Sequence, residues 1–143
     1  MSTVTQPFAR EIACSGKINE LPALIEFVET ACDDAGVKPE LRFDLTLAVE
    51  EAASNVIEHG YMGKGGELFV SFELSDDVVT IYLRDRAKPF KPGKMNRPDM
   101  DVALEDRPLG GLGLHLMREL MDEVRYETLP DGNLLTMTKR DAA

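Results

Sequence analysis

The sequence predicts an α+β fold, a two-layer α/β sandwich in which a mixed, mostly antiparallel sheet carries three helices on one face. Three observations predict it. Two segments of helical period precede residue 60, and the period then changes to two over residues 68–83. A third helical segment is followed by two more strand-like runs separated by a turn. The expected element order is β-α-α-β-β, a long loop, then α-β-β.

Taken in order, residues 6–14 mix Phe8 and Ile12 with polar residues and read as a strand. Asn19 is the expected N-cap of the first helix, on which Leu21, Leu24, Ile25 and Val28 recur at helical spacing, and Gly36 closes it. The second helix is expected from about Pro39 to about His59. Its apolar stripe is Leu41, Leu45, Ala48, Val49, Ala52 and Val56, and Gly60 ends it. Leu68, Val70 and Phe72 alternate with polar residues, as do Val79, Ile81 and Leu83 after Ser75, Asp76 and Asp77, which predicts a hairpin. Residues 86–109 are rich in Pro, Lys, Arg, Asp and Met and lack period; a connection of that length is usually functional or disordered. A third helix is expected at about 113–122, with Leu114, Met117, Leu120 and Met121 inward. Strands at 124–128 and 134–138 come after it, around a turn at Pro130, Asp131, Gly132 and Asn133.

The 143 residues suit one domain with one core, taken here as 1–143. Sixteen basic against 26 acidic residues leave a net charge of −10, which excludes a general nucleic-acid binder because no basic excess is present to displace counterions. A polyanionic ligand would have to be met locally, by a metal ion, backbone N–H groups or a few basic side chains. The first ten residues show neither the basic start nor the apolar run of a signal peptide, and no apolar stretch approaches the roughly 20 residues of a membrane span. A cytoplasmic location is expected, with Cys14 and Cys32 as reduced thiols.

Three clusters could carry chemistry. Glu51 and Asn55 are four apart on the second helix and so share a face, where a carboxylate and a carboxamide oxygen could converge on a hard cation such as Mg²⁺. Two solvated residues on a polar face would give the same spacing, but Asn is a poor mid-helix residue and this one lies beside the apolar stripe. Asp85 falls on the same side of its strand as Val79, Ile81 and Leu83, the side assigned to the core. There it either caps the following loop or accepts from a ligand donor such as the exocyclic amine of a purine. Gly110, Gly111 and Gly113 precede the third helix, where a helix N-terminus offers free N–H groups. That turn reads as a phosphate cradle, a hinge for a mobile lid, or both; it lacks the Lys-Ser/Thr ending of a Walker loop.

The order helix carboxylate and Asn, strand-end Asp, lid, glycine turn resembles the GHKL ATPase and kinase superfamily, whose ATP-binding unit is the Bergerat fold. The resemblance is carried by LAVEEAASNVIEHGY at 47–61, GGLGLHLMRELMDEVRY at 110–126 and the closing Gly132, Asn133, Leu134 and Leu135. Within the superfamily the chain is similar to the anti-sigma factor serine/threonine kinases of bacterial stress and sporulation circuits. That resemblance implies ATP and Mg²⁺ as cofactors, with Asn55 as the Mg²⁺ ligand and Glu51 as general base. It implies that Asp85 binds the adenine amine and that Ala87 passes close to the purine. Gly110, Gly111 and Gly113, with the neighbouring Leu114, would hold the phosphates, Arg107 would reach the terminal phosphate from the lid, and Thr136 would place a strand hydroxyl near the adenine. The family usually carries Asp-x-Gly where this chain has Asp85-Arg86-Ala87. If that position requires a positive φ, the alanine costs on the order of 1 kcal/mol.

These expectations leave two function classes. The first is a protein kinase that phosphorylates an anti-anti-sigma (STAS-like) partner, holds a sigma factor as its other partner, and pairs as a homodimer. The second is a non-catalytic, nucleotide-gated interaction module; Glu51 argues for the first and Ala87 for the second. The catalytic domain of a histidine kinase is disfavoured, because no upstream dimerisation helix carrying a phospho-accepting His is expected; His59 and His115 both lie within the expected ATP-site helices.

Overall fold

A computed structural model describes residues 7–88 and 110–143. The described residues form five strands and three α-helices: β1 (Phe8–Cys14), α1 (Leu21–Ala35), α2 (Pro39–Asn55), β2 (Leu68–Ser75), β3 (Val78–Asp85), α3 (Gly110–Leu120), β4 (Glu123–Leu129) and β5 (Gly132–Lys139). A 3₁₀ turn at Ile18–Glu20 leads into α1, and a π turn at Val56–Gly60 extends α2.

The five strands form one sheet in the order β1-β2-β3-β5-β4, and all four pairings are antiparallel. The mixed character expected of the sheet is thus absent among the described strands. After β3 the chain reaches the edge strand β4 by way of α3, and the β4–β5 hairpin then returns β5 to the side of β3, antiparallel to it. The β2–β3 turn is set by Asp76 and Asp77, both at positive φ (53° and 68°), the combination that fits the twist of a two-residue hairpin.

Period-two patterning decides the layers. Leu68, Val70, Phe72 and Leu74 on β2 and Val79, Ile81, Leu83 on β3 are buried, as are Leu135 and Met137 on β5. Leu24 and Val28 of α1, Leu45 and Val49 of α2, and Met117 of α3 close over that face in one continuous core. Each large apolar side chain there contributes about 1.5–3 kcal/mol relative to exposure. α2 lies between α1 and α3 and packs against both. Cys14 and Cys32 are free thiols; Cys32 is buried, and burial pushes its pKa up to about 11.

Two helix starts differ from expectation. Asn19 sits inside the 3₁₀ turn and is not an N-cap; α1 opens at Leu21 with Pro22 in its first turn. The acidic side chain beside it, Glu20, instead accepts from the Ser15 backbone N–H at 2.9 Å and from the Ser15 hydroxyl, tying the end of β1 to the helix entry. α3 begins at Gly110 and not near 113, so the three glycines occupy its first turn. Of the lid expected at 86–109, residues 89–109, Arg107 among them, lie outside the described residues.

Candidate functional site

Asp85 ends β3 on the helix-covered face, between Leu68 of β2 and Asn133 of β5, and is 2% exposed. Its Oδ1 accepts two hydrogen bonds, from the Ala87 backbone N–H at 2.8 Å and from Asn133 Nδ2 at 2.9 Å; neither goes to Oδ2. Burial pushes the Asp85 pKa up, and the two hydrogen bonds pull it part of the way back. Desolvation therefore outweighs local satisfaction at this carboxylate. A ligand donor would relieve that imbalance.

The Asp85 corner has neighbours that the sequence does not disclose. Asn133, 1% exposed, also reaches the Lys88 carbonyl at 3.4 Å, which fixes the start of the segment after β3. In sequence Asn133 reads as a turn residue; only the β3–β5 register sets it opposite Asp85. Tyr126 is half-buried opposite Leu135, and its phenol is pushed well up, first by burial and then by the Asp85 charge, so it shares this corner.

Thr136, by contrast, is not beside Asp85. It pairs with Tyr82, whose side chain belongs to the opposite face. Thr136 is three residues from Asn133, and an odd separation on a strand reverses the face. The polar side chain that β5 supplies next to Asp85 is Asn133.

Glu51 and Asn55 lie one turn apart near the end of α2, both half-buried. Asn55 is the last residue of α2, and its side chain makes no capping hydrogen bond to the π turn beyond it. That turn brings α2 against the Asp85 corner. A Cβ built on Gly60 would stand 3.0 Å from the Cβ of Ala87, a contact tight enough that one of the two would have to shift by a few tenths of an ångström. Positive φ among the described non-glycine residues is confined to Met62, Asp76, Asp77 and Asp141, so Ala87 carries no left-handed strain. The cost anticipated for this alanine is therefore not incurred, and its methyl lies against Gly60. His59, in the π turn, and His115, on α3, are both exposed.

The first turn of α3 holds Gly110, Gly111 and Gly113, with Leu114 next, and α3 packs on α2. Backbone N–H groups of a first helical turn have no intrahelical acceptor, which suits an anion. The donor set fits Mg·ATP: a buried acceptor for an amine at Asp85, oxygen donors at Glu51 and Asn55, and helix-terminal N–H groups at α3. Among the described residues no group of three or more His, Cys, Asp or Glu is arranged to hold a metal unaided. Mg²⁺ commonly takes one or two protein oxygens and completes its shell with phosphate and water.

Across the sheet the surface differs. A shallow groove of about 540 Å³ is lined by Phe69, Ser71, Tyr82, Arg84, Arg86 and Asp131, among others. Asp131 pairs with Arg84 at 3.4 Å and with Arg86 at 3.6 Å, and Arg86 Nε pairs with Glu67 at 2.6 Å.

Residues 14–139 match the family model described as histidine kinase-like ATPase domain. The chain is 30% identical over 131 residues to the serine-protein kinase RsbW of Bacillus cereus, covering 84% of this chain and 81% of that protein. It is also 30% identical over 103 residues to the serine/threonine-protein kinase BtrW of Bordetella bronchiseptica, covering 71% of this chain and 72% of that one. Among solved structures it is similar to the RsbU and RsbW domains of a Mycobacterium tuberculosis protein, with a TM-score of 0.68 at 22% identity. That likeness covers 95% of this chain and 32% of the solved one. It shows the same fold.

Proposed function

We propose a function from one premise: the chain belongs to the histidine kinase-like ATPase domain family and groups there with serine-protein kinases. It is an ATP-dependent protein serine/threonine kinase. Its substrate is the hydroxyl of a partner protein. The observation that carries this reading is the buried Asp85 carboxylate, held by the Ala87 N–H and Asn133, with Ala87 in turn packed against Gly60 of the π turn that extends the helix bearing Glu51 and Asn55.

In the proposed reaction Asp85 accepts from the exocyclic amine of adenine and orients the nucleotide. Gly110, Gly111, Gly113 and Leu114 offer main-chain N–H groups to the phosphates, and Arg107 reaches the terminal one. Asn55 would hold a Mg²⁺ ion, which would supply charge neutralisation at the phosphates. Glu51 takes the proton of the partner's hydroxyl as its oxygen bonds to the terminal phosphorus, and the bond from that phosphorus to the bridging oxygen breaks, leaving ADP. Positioning and electrostatics supply most of the acceleration in such transfers.

On the resemblance of the motifs, the phosphorylated partner is an anti-anti-sigma (STAS-like) protein and the alternative partner a sigma factor. The kinase would work in the cytoplasm as a pair of identical chains. No helix of the described residues is long and apolar enough to cross a membrane. The support that Ala87 lent the gated-module alternative is weakened, since Ala87 is unstrained and its N–H is on Asp85.

Calorimetric titration of Mg·ATP into wild type and Asn55→Ala tests the site. Binding should weaken tenfold or more in the variant, a loss of at least about 1.4 kcal/mol. Phosphotransfer to a serine-bearing STAS-type protein should fall about 100-fold or more in Glu51→Gln with ATP affinity retained. Wild type that binds no ATP at millimolar concentration would end the kinase reading. Unchanged transfer in Glu51→Gln would remove Glu51 from the chemistry.

A further inference from the structure

Tyr61 lies just beyond the π turn, six residues past Asn55, and none of the roles above uses it. A π turn is rare and adds one residue per turn, which re-aims the chain beyond it by roughly 100°. Here the Tyr61 N–H donates to the Val56 carbonyl at 2.7 Å, five residues back. The re-aimed ring lies against two glycines. A Cβ on Gly66 would run into the ring, and one on Gly16 would stand 3.3 Å from it.

The hydroxyl makes two main-chain bonds from one atom. It accepts from the Arg86 N–H at 2.7 Å and donates to the Glu67 carbonyl at 2.5 Å. Glu67 directly precedes β2, and Arg86 comes directly after Asp85. The side chains of those residues pair as well, Arg86 Nε on Glu67 at 2.6 Å. One phenol thus joins the extension of α2 to the backbone that carries the buried acceptor.

We propose that Tyr61 is a positioning residue for adenine recognition: its hydroxyl holds the Arg86 backbone and so sets where the Asp85 carboxylate meets the exocyclic amine. This rests on the ATP reading above. It also explains how the Asn55 end of the site and the Asp85 end keep a fixed relation, since both are attached to the same turn. A tyrosine that merely stabilised the fold would not care which purine is bound.

The test compares ATP with purine riboside triphosphate, which has hydrogen where ATP has the amine. Calorimetry is run on wild type, Tyr61→Phe and, as a control on the open face of the sheet, Tyr82→Phe. In Tyr61→Phe, ATP should weaken about tenfold and the purine analogue less than about threefold, so that discrimination between them collapses. Tyr82→Phe should change neither. Equal weakening of both nucleotides, or a lowered Tm with both affinities intact, overturns the positioning role alone. Wild type that binds neither nucleotide overturns the ATP reading and this role with it.

If Tyr61→Phe does not fold, wild type labelled with 3-fluorotyrosine decides. The chain has three tyrosines, so the Tyr61 fluorine signal can be assigned with Tyr82→Phe and Tyr126→Phe. ATP should shift that signal, and the purine analogue should shift it much less. Equal shifts, or none, overturn the proposal.

Discussion

Arg84 and Asp85 are neighbours on β3, and the pleat turns them to opposite faces of the sheet. Arg84 keeps 46% of its side-chain surface in water and pairs with Asp131 in the turn between β4 and β5. Asp85 is 2% exposed beneath the helices, with two hydrogen bonds on one oxygen. Both are charged residues, yet their energetics have little in common. Water solvates the outer charge, and its ion pair is worth about 0–1 kcal/mol. The inner charge is desolvated, and burial raises its pKa despite the two hydrogen bonds. A fold selected for stability alone would place an amide or an apolar group there. Under the proposed function the carboxylate is an acceptor for a nucleotide donor, which is what the pair teaches: at this end of the sheet the inner face would serve a ligand at the expense of the empty fold.

Asp85→Asn breaks that comparison most strongly. The amide oxygen can still accept from Ala87 and Asn133, but the new NH₂ meets the adenine amine donor to donor. ATP affinity should fall about 100-fold or more, as it does where a buried polar site loses its partner. The same variant should raise the thermal stability of the nucleotide-free protein at neutral pH. Linkage fixes the sign. A carboxyl whose folded pKa lies above its unfolded value is destabilising when ionised, so its cost is complete above the raised pKa and disappears as pH falls to the ordinary carboxylate range. The stability advantage of Asp85→Asn over wild type should therefore shrink as pH is lowered from 7 towards about 4. Paired melts across that range measure it. An advantage that does not change with pH would mean that the charge of Asp85 is not what costs the fold.

How much of this corner the sequence discloses depends on which period governs each residue. The inward direction of Asp85 is legible from alternation with Val79, Ile81 and Leu83, and the turn of the hairpin from Ser75, Asp76 and Asp77. The Glu51–Asn55 pair is legible as one helix face. Asn133 is not, because the residues around it read as a turn, and only pairing with β3 brings it opposite Asp85. The same missing register misplaces Thr136. The π turn is hidden too, since Val56, Ile57, Glu58 and His59 continue a helical pattern and nothing in their composition marks an extra residue per turn. The fit of Ala87 to Gly60 joins residues 27 apart and needs coordinates to be seen.

That fit gives the next prediction, smaller and confined to the inner face. Gly60→Ala puts a methyl 3.0 Å from the Cβ of Ala87 and 3.7 Å from Cγ1 of Val56. Overpacking costs about 1–3 kcal/mol, against roughly 1 kcal/mol gained by replacing a helical glycine. A net loss of about 1 kcal/mol in urea unfolding is expected. In an Ala87→Gly background the clash is gone, so Gly60→Ala should there become neutral or stabilising. A double-mutant cycle reads the change of sign directly, and additive effects would show that the two positions do not share space.

Asp131→Ala on the open face should have the smallest effect, and its value lies in what it leaves unchanged. It removes the pairs to Arg84 and Arg86, both of them long and both between side chains about half in water. A loss under about 1 kcal/mol is expected, shrinking further at high salt. ATP affinity should not move, because Arg86 is anchored through its backbone N–H by Tyr61 and through its side chain by Glu67, independently of Asp131. A measurable fall in ATP affinity would mean that the ion pairs of the outer face help set the Asp85 carboxylate. The two faces of β3 would then be coupled through Arg86, and the separation drawn between Arg84 and Asp85 would hold for solvation but not for function.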